Sequence, residues 1–258
     1  GRVPASEDLS RGLALVESEP VQARRILSDI VADRTRPQAE RDSARRALSE
    51  INKVLIFSPK VVPGDRFAEV YMIQPGDSLV RIAQQQNLDA DWRLLKRVNG
   101  ITDERRIREG QRLKLIVGAF HAVVDKSDYR MDVYLGEGSD RVLVASFPVG
   151  LGEYDSTPLG LFKVRPKSKL INPQWTNPRT GERFAADDPK NPIGEYWIGL
   201  MGAEPSNKDI EGYGIHGTID PASIGRQASM GCVRMHGADV ELVYEMLTEP
   251  RSTVEIVP

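Results

Sequence analysis

The hydrophobic pattern of this 258-residue chain changes its period along the sequence, and no other feature limits the fold as much. Up to about residue 57 apolar side chains recur every three or four positions. Leu9, Leu13 and Val16 form one set, and Val21, Ala23, Ile26, Leu27, Ile30 and Val31 form a second that begins near Pro20. Ala44, Ala47, Leu48, Ile51, Val54 and Leu55 form a third, between Pro37 and Leu55. This spacing predicts three short amphipathic helices, with Pro37 suited to a first helical turn. Pro59 and the pair Pro63-Gly64 mark residues 58–68 as a linker. Over 69–117 the order reads strand, helix, helix, strand. Val70–Ile73 alternates, Pro75-Gly76-Asp77 turns, and Asp77 or Ser78 can cap a helix bearing Leu79, Ile82 and Ala83. A second helix from about Asp91 carries Trp92, Leu94, Leu95 and Val98 and stops at Asn99-Gly100, before a closing strand at Gln111–Leu115. From Ala119 onward the period is two, as in His121–Asp125, Met131–Leu135 and Val142–Phe147, with frequent Gly and Pro between. The expected fold is therefore multidomain: a helical bundle over 1–57, a βααβ module over 69–117, and a mainly-β sandwich or barrel over 118–258. Pro166–Asn191, rich in Pro, Asn and Asp, reads as a long loop of the kind that forms a functional lid.

Composition narrows the function. Cys232 is the only cysteine, which excludes an intramolecular disulfide framework and any multi-cysteine zinc or iron–sulfur centre. The three histidines, at 121, 216 and 236, are too scattered to suggest a metal cage, so no metal or cofactor is expected. With 35 basic and 37 acidic residues the net charge is −2, so a nucleic acid is not an expected partner. No apolar run approaches the roughly 18 residues of a transmembrane helix. The first residues, Gly-Arg-Val-Pro-Ala-Ser-Glu-Asp, lack the basic, apolar and small-residue order of a secretory signal. Either the chain is cytosolic, or it is a mature or trimmed form in which Gly1 is a cloning remnant. The helices up to residue 57 weakly resemble tetratricopeptide-like hairpins without a clean repeat. They serve either as a packing spacer or as a surface for a protein partner.

The segment 69–117 resembles the LysM module. It carries Tyr71-Met-Ile-Gln-Pro-Gly-Asp-Ser-Leu79 at its start, and Asn99-Gly100 followed by Ile107 and Gly110-Gln-Arg-Leu113 at its end. The resemblance implies binding of the N-acetylglucosamine-containing glycan of peptidoglycan or chitin. It places the contacts at Gly76, Asp77, Ser78 and Leu79 and at Asn99, Gly100 and Ile101. The same residues could instead serve only as turns and caps.

The densest chemistry lies between Tyr213 and Met235. His216 precedes Cys232 by 16 positions (232 − 216), and Gly231 before the cysteine allows close approach of a substrate. A cysteine beside an imidazole forms a thiolate–imidazolium pair, and the thiolate is the reactive species. On the residues alone, a lone cysteine is more often a buried, inert hydrophobe than a nucleophile. His216-Gly217-Thr218 and Ser229-Met-Gly-Cys-Val-Arg-Met235 resemble the signature of the L,D-transpeptidase catalytic domain of the YkuD type. Thr157-Pro-Leu-Gly-Leu-Phe162, Asn191-Pro-Ile-Gly-Glu-Tyr-Trp197 and the closing strand Thr253–Ile256 extend the resemblance over about 120–258. Met230 stands where many members have His.

The resemblance implies Cys232 as nucleophile and His216 as general base, with a backbone carbonyl, such as that of Gly217, orienting the ring. It implies an oxyanion hole in the backbone around Gly231 and Cys232, with Ser229 and Gly217 supporting the site. Arg234, Tyr213 and Thr218 are implied as substrate-binding. Arg234 either holds an acidic group of the stem peptide or supports the loop, and Thr218 and Ser229 are expected to hold backbone rather than react. His236 is expected to be structural and His121 incidental. Trp175 and Trp197 are candidates for the donor cleft, with apolar packing expected of Trp197.

Together the two resemblances imply an exported enzyme of the periplasm or cell wall, its signal peptide absent from this chain. Its partners would be the stem peptide and glycan of peptidoglycan, and carbapenems would acylate it. It would make 3–3 crosslinks through a cysteinyl thioester with loss of D-alanine. The alternatives are L,D-carboxypeptidase or D-amino-acid exchange, and a wall-binding scaffold without catalysis.

Overall fold

Three helices open the chain: α1 (Glu7–Ala14), α2 (Pro20–Ala32) and α3 (Gln38–Leu55). The computed structural model describes residues 6–249 and 251–258, so Gly1 and the rest of the first five positions lie outside the described residues. Ser6 caps α1 by accepting the Leu9 N–H, and Pro20 begins α2 where its missing N–H is harmless. Leu9, Leu27, Ile30, Leu48, Ile51 and Leu55 are buried between the helices, as their spacing predicts, whereas Leu13 and Val54 are 40% exposed. The helical stripe is therefore narrower than the apolar periodicity suggests, and Pro37 caps α3 from outside rather than opening its first turn.

Contacts divide the chain into two compact units, one reaching Ala119 and taking in Val133–Ser146, the other made of Phe120–Asp132 and Phe147–Pro258. In the first unit the proline-rich connector is pinned. Arg24 of α2 donates to both carboxylate oxygens of Asp65, at 2.6 and 3.3 Å, and both side chains are almost fully buried. The guanidinium groups of Arg24 and Arg66 lie over the Phe67 ring. Lys114 is buried against the end of α3, its ammonium donating to the carbonyls of Leu55, Ser58 and Lys60. It satisfies C-terminal carbonyls that the helix leaves unpaired, although burial pulls the ammonium down to about 8. A pairing of residues 41 positions apart cannot be read from the local composition of the connector.

The βααβ order is as expected: β1 (Ala68–Met72), α4 (Leu79–Gln85), α5 (Trp92–Val98) and β2 (Arg112–Ile116). β1 and β2 pair antiparallel from Ala68↔Ile116 to Met72↔Arg112. Alternation sends Leu113 and Leu115 inward, where they meet Ile73, Leu79, Ile82 and Leu95.

The remaining strands are β3 (Phe120–Asp125), β4 (Arg130–Leu135), β5 (Val142–Pro148), β6 (Leu151–Gly152), β7 (Gly160–Ile171), β8 (Trp175–Thr176), β9 (Arg183–Phe184), β10 (Tyr196–Gly202), β11 (Gly214–His216), β12 (Gln227–Ser229), β13 (Val233–Arg234) and β14 (Thr253–Val257). One helix, α6 (Gly237–Met246), separates the last two. Eight strands form a sheet in the order β13-β11-β10-β7-β14-β3-β4-β5. Gly150, just past β5, exchanges two backbone hydrogen bonds with Arg234 of β13, at 2.9 and 2.8 Å. That bridge curls the sheet back toward its other edge, in the manner of a barrel. Phe162, Ile198, Ile215, Val233, Val240, Val254 and Ile256 are buried in its core.

The stretch expected to be a lid from Pro166 is different. Residues 160–171 are strand, and a short hairpin, β8–β9, occupies part of the segment between β7 and β10. Pro166 is tolerated because the β7–β10 ladder is interrupted between Val164 and Lys169, so no ladder bond is lost there. No helix among the described residues is long and apolar enough to cross a membrane.

Candidate active site

The site begins with a parallel pair of short strands. β11 and β13 place Ile215 opposite Val233 and His216 opposite Arg234. Alternation gives the core to Ile215, Val233 and Met235, all at most 1% exposed. The other face falls to His216 and Arg234, and Cys232 precedes β13 by one residue. On the far side of β11, β10 sets Trp197 opposite His216. The indole stacks on the imidazole with centroids 5.8 Å apart and planes 19° apart. Trp197 packs, as expected, but it packs against the histidine.

The turn before Cys232 is held by one hydroxyl. Ser229 Oγ donates to the Cys232 carbonyl at 2.6 Å and accepts the Gly231 N–H at 3.0 Å. Gly231 has φ +124°, and a Cβ there would overlap the Tyr213 ring and lie 3.2 Å from the Ser156 carbonyl oxygen. Only glycine fits both the conformation and the space. Because the Gly231 N–H is already donated, the Cys232 N–H is the member of the expected pair that remains; it makes no hydrogen bond among the described residues.

His216 is 4% exposed, and its Nδ1 lies 2.6 Å from the Gly217 carbonyl oxygen. A carbonyl only accepts, so Nδ1 carries the proton and Nε2 keeps its lone pair. Burial pulls the imidazole down to about 4, aided by the positive charge of Arg234 and opposed by the carbonyls of Gly217 and Ile193. Cys232 is half-buried, its Sγ 3.8 Å from the Gly212 carbonyl oxygen. Burial pushes the thiol up to about 11 against the pull of the Gly214 backbone and Arg234. Both groups are therefore neutral at rest, in contrast to the thiolate–imidazolium pair that their types suggest, because desolvation disfavours both charged forms.

The Arg234 guanidinium makes no ion pair among the described residues, and its Nε is buried without a partner. The Thr218 hydroxyl accepts the Asp220 N–H at 3.0 Å and reaches the Asp220 carbonyl, so it is occupied by its own turn. His236 caps α6 by position, and His121 Nδ1 meets the Thr253 hydroxyl at 2.8 Å, tying β3 to β14. Trp175 stacks on Phe184 across the β8–β9 hairpin.

The seven glycan candidates mostly build their own module. Asp77 Oδ2 accepts the Tyr71 hydroxyl and the Gln74 N–H, both at 2.8 Å. Ser78 caps α4, and Gly76 takes φ +80° with its carbonyl receiving Arg81. The Leu79 side chain is 1% exposed in the module core, so what this position offers the loop surface is its backbone. Asn99 clamps the Lys114 backbone from both sides, at 2.7 and 2.8 Å, and also holds the Leu95 carbonyl. Ile101 packs on the core, and Gly100 at φ +61° has open space around it.

Gly152, Ser156, Thr157 and Lys126 do not stand out in the sequence as site residues, yet they frame the cysteine turn. A Cβ on Gly152 would lie 2.7 Å from the Gly231 Cα. Thr157 Oγ1 accepts the Gly152 N–H at 2.8 Å, and Lys126 holds the Thr157 carbonyl at 2.8 Å. The usable signal is the Thr157-Pro-Leu-Gly-Leu-Phe162 motif, whose first residue carries this contact.

Residues 119–256 match the model of the L,D-transpeptidase catalytic domain, YkuD, and residues 71–115 match that of the LysM domain. A relative from Bacillus licheniformis that carries the name L,D-transpeptidase YkuD is 30% identical over 181 residues, covering 66% of this chain and 88% of its own. The Bacillus subtilis protein of that name is 43% identical over 68 residues, covering 25% of this chain and 37% of its own. Among solved structures, an L,D-transpeptidase from Mycobacterium smegmatis is similar at a TM-score of 0.42 with 15% identity, covering 58% of this chain and 64% of that one. The chain thus belongs to the L,D-transpeptidase family, with a LysM domain ahead of its YkuD-type catalytic domain.

Proposed function

We propose that Cys232 attacks the stem tetrapeptide of peptidoglycan at the carbonyl of its third residue, a diamino acid, and that the product is a 3–3 crosslink. The observation that carries this reading is His216, fixed by the Gly217 carbonyl in the tautomer that leaves Nε2 basic, and in register with Arg234, two residues past Cys232. Because thiol and imidazole are both neutral at rest, the proton moves from Sγ to His216 Nε2 as the S–C bond forms. The oxyanion of the tetrahedral intermediate is received by the Cys232 N–H. The C–N bond to D-alanine then breaks, and the imidazolium returns its proton to the departing amine, leaving a thioester. An amine from a neighbouring stem attacks the thioester, gives a proton to His216, and expels the thiolate, which takes that proton back. Arg234, with no anionic partner among the described residues, holds a carboxylate of the stem peptide. Tyr213 lines the cleft, while Ser229, Gly231 and Gly217 keep its backbone in place.

In this reading the chain divides into helices (1–57), linker (58–68), LysM module (69–117) and catalytic domain (118–258), and works outside the cytoplasm in the cell wall. Gly76, Asp77, Ser78 and the 99–101 loop offer backbone to N-acetylglucosamine-containing glycan. Weak attachment there raises the local concentration of stem peptide at the cysteine. The test is incubation with muropeptide tetrapeptides followed by mass spectrometry, with Cys232→Ala alongside. A product that has lost D-alanine and gained an amide to a second stem is expected from the unaltered chain alone. Tripeptide without crosslink would replace the reading with L,D-carboxypeptidase chemistry. Turnover that persists in Cys232→Ala would remove the nucleophile.

A further inference from the structure

Beside the cysteine turn stands a residue whose conformation and exposure are both unusual. Tyr154 has φ 52° and ψ 36°, the left-handed region that a bulky side chain rarely enters, and it is 95% exposed. Asp155 follows it with φ 60°. Two successive left-handed residues without a glycine persist only where the surroundings dictate them. Here they do so from several directions. The buried Lys126 ammonium grips the Asp155 carboxylate at 2.6 Å and the carbonyls of Asp155 and Thr157 at 3.2 and 2.8 Å. Gln227 Oε1 accepts the Asp155 N–H at 3.2 Å, and Arg179 pairs with Glu153 at 3.3 Å. Gly152, the residue just before this turn, is in register with Ser229 on β12 and packs against Gly231. The turn is therefore anchored to the cysteine loop while its aromatic side chain remains in solvent.

Burial does not account for this placement, since the ring is nearly free of contact. The carboxylates on either side of it, Glu153 and Asp155, are each matched by a cation, so the ring stands in a rim with little net charge. A stem peptide presents methyl groups and charges. A pyranose ring presents a flat C–H face that suits a phenol face. We propose that Tyr154 is a substrate-contact residue, an aromatic wall at the rim of the cysteine site that packs on the saccharide ring bearing the donor stem. This rests on the transpeptidase reading of Cys232 and specifies which part of the substrate the rim recognises.

The experiment compares D-alanine release from a free tetrapeptide and from the same peptide on its disaccharide, using the full chain and its Tyr154→Ala, Tyr154→Phe and Tyr154→Asn variants. The unaltered chain is expected to favour the disaccharide substrate. Tyr154→Ala should lose about fivefold in kcat/KM on it, nothing on the free peptide, and Tyr154→Phe should retain the preference. Tyr154→Asn should lose the preference while its melting temperature rises, because asparagine tolerates the left-handed conformation. Equal kcat/KM for Tyr154→Ala and the unaltered chain on the disaccharide substrate would overturn the proposal. So would an equal loss on both substrates, or an unaltered chain indifferent to the sugar. Covalent mass shift with a carbapenem reads Cys232 separately: its absence from the unaltered chain would bring down the catalytic reading itself, whereas its persistence in every variant confines the outcome to Tyr154.

Discussion

The LysM module and the cysteine site treat their polar groups in opposite ways. In the module nearly every polar side chain of the motif is engaged in the module's own construction: Asp77 binds Tyr71 and Gln74, Ser78 caps α4, and Asn99 braces Lys114 and Leu95. At the cysteine site, burial pulls His216 down to about 4 and pushes Cys232 up to about 11, and the Arg234 guanidinium has no ion-pair partner among the described residues. Motif residues of similar sequence clarity thus have different physical duties. A satisfied polar group stabilises, whereas a buried one left short of partners is held ready for something that arrives.

The largest expected effect lies at the cysteine site. His216→Ala should slow acylation by about 10²–10⁴-fold with little change in glycan pull-down. Stopped-flow acylation by a chromogenic β-lactam measures it, and an unchanged rate would mean that another group takes the thiol proton. A smaller effect appears in the pH dependence of stability. His216 titrates near 4 in the folded chain instead of its usual 6.5. The unfolded chain therefore takes up a proton first as the pH falls, and stability present above about 6.5 is lost toward 4. The loss amounts to about 3 kcal/mol at most. Urea titrations across that window should show the slope, and His216→Gln should flatten it; identical slopes would mean that the ring is solvated. The smallest effect belongs to the module. Asp77→Ala should cost about 1 kcal/mol of stability and leave acylation unchanged. If glycan affinity fell while the melting curve stayed put, Asp77 would be a ligand and the contrast between the two regions would fail there.

Much of the architecture was legible because periodicity reports burial directly. The helices of the first 55 residues, the βααβ order and strands β3 to β5 fall where the repeats of 3.6 and 2 place them. Pro166 misled because the sequence does not reveal that the ladder between β7 and β10 skips the residues around it. The connector looked loose because Asp65 and its partner Arg24 are far apart in sequence. At the site, Cys232 and His216 stand out through the motifs His216-Gly217-Thr218 and Ser229–Met235 rather than by type and spacing alone. Their ionisation depends on burial and on the Gly217 and Gly214 backbone, which the identities of two side chains do not encode. Tyr154 gave no sequence signal, since only the backbone shows that it occupies a conformation suited to glycine or asparagine.

The bridge between Gly150 and Arg234 has a consequence for how the cleft could be retuned. The seam is sewn by main-chain atoms, so any amino acid with a backbone N–H at position 234 retains the donor and the acceptor that it needs. Charge and length there are thereby uncoupled from the integrity of the curl. A lysine, glutamine or glutamate at this one position would change the charge felt by His216 and Cys232 without removing a main-chain bond of the seam.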